Sequence, residues 1–172
     1  MSSGRSIVLA GAPGSGKSTI GVALARELGQ RWIDVDTEIE SAEGVPIAEI
    51  FAGKGEPYFR ELEVAYTQRA LAEATVVSIG GGAVTSPKVR EALAQHLVIW
   101  LRVSSNEAAK RVGLNVARPL LLGNVRGRLM QLLKERTPLY EEVADVSVDT
   151  DGREVADIVA EIVAALDERG ER

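Results

Sequence analysis

Residues Gly11-Ala12-Pro13-Gly14-Ser15-Gly16-Lys17-Ser18 follow directly on the apolar run Ile7-Val8-Leu9-Ala10 and precede a stretch with helical periodicity. The apolar run, ended by glycine, reads as a strand buried on both faces, and such strands belong to parallel sheets. The glycines let successive backbone N–H groups turn inward around phosphate oxygens, where a Cβ would obstruct them. Lys17 adds a point charge, and the Ser18 hydroxyl suits a divalent cation. The helix that follows, with Ile20, Ala23, Leu24 and Leu28 on one face, points its positive end at the same place. Gly14, Ser15, Gly16, Lys17, Ser18 and Thr19 are the expected nucleotide ligands.

The rest of the chain keeps to that plan. Strands are expected at Trp32-Ile33, Val76 to Ile79, Leu97 to Leu101 and Val146 to Val148, with helical segments between them. The region from Asp36 to about Leu71 reads as helical, broken at Gly44 and at Gly53-Lys54-Gly55, with Pro57 in a new first turn. Val155, Ile158, Val159, Ile162, Val163 and Leu166 form one apolar stripe, and Asp151 with Glu154 is the expected capping pair before it. Strands alternating with amphipathic helices predict an α/β layered fold. The stretch from Gly113 to Gly127 lacks a clean period and reads as a mobile surface segment within one domain.

Composition narrows the partners. At 172 residues, with 45% hydrophobic and only 4% aromatic, the chain suits one domain with an aliphatic core. A net charge of −5 without a basic run argues against nucleic acid, so an anionic ligand needs a local cluster of cations. There is no cysteine, which removes disulfides and thiolate metal sites. No apolar run is long enough for a membrane span, and the N-terminus is not a signal peptide, so a cytoplasmic protein is expected. With no long apolar stripe left over, a monomer is expected.

The phosphate loop alone does not choose among nucleotide enzymes. No Asn is followed by Lys, which removes the guanine reader of switch GTPases, and a Leu-Ser-Gly-Gly signature is missing. The chain is too short for a motor, which leaves small kinases. On the acceptor side, Asp34 and Asp36 follow the second strand, where extended geometry would send both carboxylates to one side. They could divide metal and proton duties, or Asp36 could simply cap a helix starting at Thr37. Gly80-Gly81-Gly82 ends the third strand and would let a ligand touch the backbone. Arg60 and Glu63 lie one helical turn apart, and Arg118 and Arg136 complete a set of forks for carboxylate or phosphate. The single histidine, His96, starts a strand and suits a structural role. Trp32 and Trp100 suit the core, and Phe51 and Phe59 suit either a pocket wall or packing.

The phosphate loop, Asp34-x-Asp36, Gly55-Glu56-x-x-Phe59-Arg60-x-x-Glu63, Gly80-Gly81-Gly82-Ala83-Val84, Arg118-Pro119-Leu120-Leu121 and Arg136-x-Pro138-Leu139-Tyr140 together resemble the shikimate kinase family. Their order and spacing match over roughly Ile7 to Val148. The resemblance implies a three-layer P-loop kinase fold with a five-stranded parallel sheet, an acceptor-binding segment at about 34–63 and a lid at about 113–125. It implies ATP and Mg²⁺ with shikimate as acceptor. By the family pattern Asp36 meets the acceptor hydroxyls as candidate base, and Arg60 and Arg136 clamp the carboxylate. The triplet Gly80, Gly81 and Gly82 meets the ring, and Glu63 orients Arg60. Ser18 and Asp34 organise the metal, Lys17 and Arg118 neutralise the phosphoryl group in flight, and Arg111 and Arg153 flank adenine. The absence of a proline after Arg153 departs from some relatives. A kinase for another small molecule, such as gluconate, and an ATP-sensing module without turnover are the rival readings.

Overall fold

A computed structural model describes residues 4–73, 75–113 and 125–171. Five parallel strands form one sheet in the order β2-β3-β1-β4-β5: β1 (Ile7–Ala10), β2 (Trp32–Asp34), β3 (Val76–Ser78), β4 (Leu97–Arg102) and β5 (Val146–Asp149). The helices are α1 (Lys17–Leu28), α2 (Val35–Glu43), α3 (Ile47–Lys54), α4 (Glu56–Leu71), α5 (Pro87–Leu93), α6 (Ser105–Gly113), α7 (Val125–Val143) and α8 (Val155–Arg169), with a 3₁₀ turn at Ala83–Thr85.

Alternation along the strands divides the core in two. Val8, Ala10, Val77, Ile79, Val98 and Trp100 face one side, packing against Ile39, Ile50, Phe59, Leu71 and Tyr140. Ile7, Leu9, Val76, Leu97, Ile99 and Leu101 face the other, against Ile20 and Leu24 of α1 and Ile158, Ile162 and Leu166 of α8. The sheet is therefore the middle layer of three, and the buried core residues around it are mostly aliphatic, as expected. Phe59 and Trp100 are core residues, while Phe51 and Trp32 pack at its margin. His96 is structural: its Nδ1 accepts the Ser6 N–H at 2.9 Å, tying the start of β4 to the residue before β1.

Two local expectations are corrected. Asp34 and Asp36 are not successive members of an extended strand. Asp34 ends β2 and caps α2, its Oδ1 accepting the Thr37 N–H at 3.1 Å, and Asp36 lies in that helix's first turn. The cap is therefore Asp34 rather than Asp36. Likewise α8 starts without a side-chain cap at Glu154, and Asp151 instead accepts the Ser104 N–H at 3.1 Å, joining the β5 end to the β4 end. Of the Gly113 to Gly127 stretch, residues 125–127 belong to α7; residues 114–124, which include Arg118 and most of the expected lid, lie outside the described residues.

Candidate active site

The carboxyl ends of β1, β2 and β3 lie side by side, and the loop after each contributes to one crevice. After β1 comes the phosphate loop. Gly14 and Gly16 hold φ of 84° and 95°, a region that side-chain-bearing residues rarely adopt, and Gly16 leads directly into α1. The Lys17 ammonium curls over the loop, donating to the carbonyls of Gly11 at 2.8 Å and Ala12 at 3.1 Å. Burial lowers its pKa to about 8, against the opposing pull of Asp36 and Asp34. The Ser15 hydroxyl is buried against Gly11 with no hydrogen-bond partner.

After β2, the Ser18 hydroxyl donates to Asp34 Oδ2 at 2.9 Å. The two side chains offer hard oxygens beside the loop, the donor type Mg²⁺ takes when phosphates and water complete its shell. Among the described residues there is no cluster of three or more His, Cys or acidic side chains that could hold a metal unaided. Asp36 sits deeper, and its Oδ1 is buried without a partner. Burial, then the charges of Asp34 and Glu63, push its pKa up to about 6, with Lys17 opposing. It is an ionised carboxylate at neutral pH with an unused acceptor atom.

After β3, Gly80-Gly81-Gly82 is enclosed on three sides. A Cβ on Gly80 would lie 2.6 Å from Glu63 Oε2 and 2.9 Å from Asp36 Oδ1, and one on Gly82 2.5 Å from an Arg60 nitrogen. The triplet's carbonyls are engaged: Gly80 accepts Ala83 N–H at 3.1 Å, Gly81 accepts the Tyr140 hydroxyl at 2.6 Å, and Gly82 accepts Thr85 N–H at 3.1 Å. That leaves the amide side of the turn to meet a ligand. Arg60 donates to Glu63 Oε1 at 2.7 Å from the same face of α4, and its guanidinium lies 5.4 Å from the Phe59 ring. The Glu63 carboxyl is almost wholly buried, which raises its pKa while Arg60 and Arg136 oppose the rise. Arg136, half-buried on α7, faces Lys17, Glu63 and the Tyr140 phenol electrostatically.

Arg111 and Arg153 line a cleft of about 330 Å³ with Ser15, Gly16 and Thr19, on the other side of the loop. Arg111 donates to the Gly14 carbonyl at 2.9 Å and to the Thr150 carbonyl at 3.2 Å. Arg153 donates to the Asp149 carbonyl at 2.9 Å. The structure thus brings together Lys17, Ser18, Asp34, Asp36, Arg60, Glu63, the triplet and Arg136 in one crevice, with Arg111 and Arg153 beside it. Arg118 lies outside the described residues.

Tyr140 closes one of the sequence motifs but carried no expected role; its ring stacks on Trp100 with centroids 5.7 Å apart, and Thr150 and Glu107, which no motif named, lie beside Arg111. A tyrosine four residues after Arg136 and a glutamate four residues before Arg111 were the available signals for two of them; Thr150 meets Arg111 only through the fold.

The model of the shikimate kinase family matches residues 13–167. A shikimate kinase of Mycobacterium avium is 51% identical over 92% of this chain and 92% of its own length. The solved shikimate kinase of Acinetobacter baumannii in complex with shikimate superposes with a TM-score of 0.91 at 33% identity, covering 99% of this chain and 97% of that one. A gluconokinase from Sinorhizobium meliloti covers 97% of this chain and 94% of its own, but with a TM-score of 0.62 at 24% identity it shares the fold alone.

Proposed function

The chain belongs to the shikimate kinase family, and we propose how its residues divide the work of that family's reaction. ATP gives up its γ-phosphoryl group to the 3-hydroxyl of shikimate, leaving shikimate 3-phosphate and ADP. The observation that carries the division is the buried, unpartnered Oδ1 of Asp36, set among the phosphate loop, the glycine triplet and the Arg60–Glu63 pair.

Asp36 accepts the proton of the attacking hydroxyl while the new O–P bond forms and the bond to the β-phosphate oxygen breaks. With a pKa of about 6 it is mostly ionised at pH 7, yet basic enough to take a proton in flight. Arg60 and Arg136 clamp the acceptor's carboxylate by their planar forks. Glu63 holds Arg60 in place, and the amides of Gly80, Gly81 and Gly82 meet the ring. Gly14, Ser15, Gly16 and Thr19 cradle the triphosphate, and Arg111 and Arg153 flank the adenine. Lys17, with Arg118, neutralises charge on the transferring group. Ser18 and Asp34 would hold Mg²⁺, whose charge offsets that of the phosphates when it is bound. Catalysis of this kind is positioning and charge stabilisation.

The segment 113–125 is the proposed lid, which would exclude water from the reaction. We propose that the protein acts as a cytoplasmic monomer. Among the described residues, Val22 and Met130 are the large apolar side chains left exposed, and no helix is long and apolar enough to cross a membrane.

Coupled ADP release, measured with shikimate, gluconate and AMP in turn, tests this reading. Only shikimate should stimulate it; stimulation by gluconate or AMP instead, or by none, would overturn the assignment. Lys17→Ala should lower kcat by at least ~100-fold, the usual scale for removing a preorganised charge-stabilising donor. Near-normal turnover would refute its role.

A further inference from the structure

Ser78 is an unusual residue to find at the end of a central strand that is otherwise aliphatic. It is buried, and it pairs in register with Leu9 of β1 on one side and Asp34 of β2 on the other. Its hydroxyl makes two hydrogen bonds: Trp32 Nε1 donates to Ser78 Oγ at 2.9 Å, and Ser78 Oγ donates to the Lys17 carbonyl at 2.8 Å. The direction is fixed by chemistry. An indole N–H can only donate and a carbonyl can only accept, so the serine proton must point at Lys17. The relay also needs space: a Cβ on Gly21, one turn along α1 from Lys17, would overlap Trp32 Nε1 and lie 2.7 Å from Ser78 Oγ.

We propose that Ser78 and Trp32 are positioning residues for the phosphoryl-transfer groups of the first turn of α1. The Lys17 carbonyl is tied to the strand that flanks Asp34, and the next residue, Ser18, bonds the Asp34 carboxylate at 2.9 Å. One strand position thus sets the height of Lys17 and Ser18 against β2. Among the described residues, the hydrogen bonds of the relay join Trp32, Ser78 and the Lys17 carbonyl and include none to Arg60, Glu63 or Arg136, although the Arg136 charge faces the Lys17 ammonium. The relay therefore bears on kcat and leaves binding of the acceptor alone. A displacement of about 1 Å at reacting groups can cost ~100-fold in rate, so loss of one tether should cost less than that.

The inference rests on the assignment of Lys17 to the transferring phosphoryl group. The test measures kcat and the KM for shikimate in Ser78→Ala, Trp32→Phe and the double variant, with Ile162→Val, a core change on α8, as a stability control. Ser78→Ala should lower kcat about tenfold and Trp32→Phe about threefold, each leaving the shikimate KM within about twofold. The double variant should be no slower than Ser78→Ala, because Trp32 acts through that hydroxyl. Ile162→Val should lower Tm without lowering kcat. If Ser78→Ala does not fold, Trp32→Phe still decides: it keeps an aromatic ring while removing the donor and part of the indole, and Ile162→Val controls for the lost packing. Unchanged kcat in the folded variants, multiplicative losses, a raised shikimate KM, or an equal kcat loss in Ile162→Val would overturn the proposal. Failure of the underlying assignment is separate: it would show as turnover retained by Lys17→Ala.

Discussion

Gly82 shows how closely single atoms define the acceptor crevice. A methyl there would fall 2.5 and 2.6 Å from the two terminal nitrogens of Arg60. The backbone is no obstacle, since its φ of −98° is open to any residue. What must yield is the end of a long side chain, whose bond to the buried Glu63 would be displaced. Gly82→Ala should therefore fold with a Tm within a few degrees of the parent, yet raise the shikimate KM roughly tenfold, the scale of one charge-assisted hydrogen bond. Steady-state kinetics beside a thermal melt would check it, and an unchanged KM would count against Arg60 as the clamp. The sequence shows three glycines at the end of a strand. It does not show that Gly80 faces Glu63 and Asp36, that Gly81 packs on Pro13, and that Gly82 faces Arg60. Those neighbours come from three other parts of the chain.

Helix α7 joins the acceptor clamp to the glycine turn. Arg136 and Tyr140 are four residues apart and share one face, although Pro138 between them can offer no N–H to the helical ladder. The Tyr140 hydroxyl donates to the Gly81 carbonyl, the Arg136 charge faces the same phenol, and Trp100 stacks on the ring. Burial pushes the phenol up to about 12, so it remains a donor at any physiological pH. Tyr140→Phe would keep the stack and leave the Gly81 carbonyl short of a partner. A loss of about 1–2 kcal/mol is expected, or roughly 3–6 °C in Tm for a chain of this size, with the shikimate KM raised several-fold and kcat little changed. A Tm loss without a KM change would make Tyr140 purely structural. In the sequence, the arginine and tyrosine are visible as a motif. Their common helix is not, because an internal proline works against a helical reading and packing on Trp100 and the triplet overrides it.

Across the whole molecule, the strands are legible because buried parallel strands are short aliphatic runs, and the phosphate loop because its glycines and lysine are tied to one conformation. Strand order is not, since β1 lies between β3 and β4 only through crossovers that leave no local mark. The two aspartates were visible, but a helix begun at Val35 rather than Thr37 gave the cap to Asp34 and freed Asp36. The fold then gathers Lys17, Asp34, Asp36, Glu63 and Arg136 at the carboxyl end of the sheet, an arrangement with a stability cost that pH should reveal. Burial and the neighbouring acids raise Asp36 from an ordinary 3.8 to about 6. Between those values the folded chain holds a proton that the unfolded chain has released. Its contribution to stability therefore falls as pH rises through that window and stays low above it. Asp36→Asn removes this ionisation. About two pH units correspond to roughly 3 kcal/mol at most, and Lys17 loses a favourable partner in exchange. A net gain of about 1–2 kcal/mol, or roughly 3–6 °C in Tm, is expected at pH 8 and little at pH 4. Turnover should fall at least ~100-fold at both, in line with the loss of a general base. Melts of the two proteins from pH 4 to 8 would decide it: a parent that stays the more stable above pH 6 would mean that Asp36 is not a strained carboxylate.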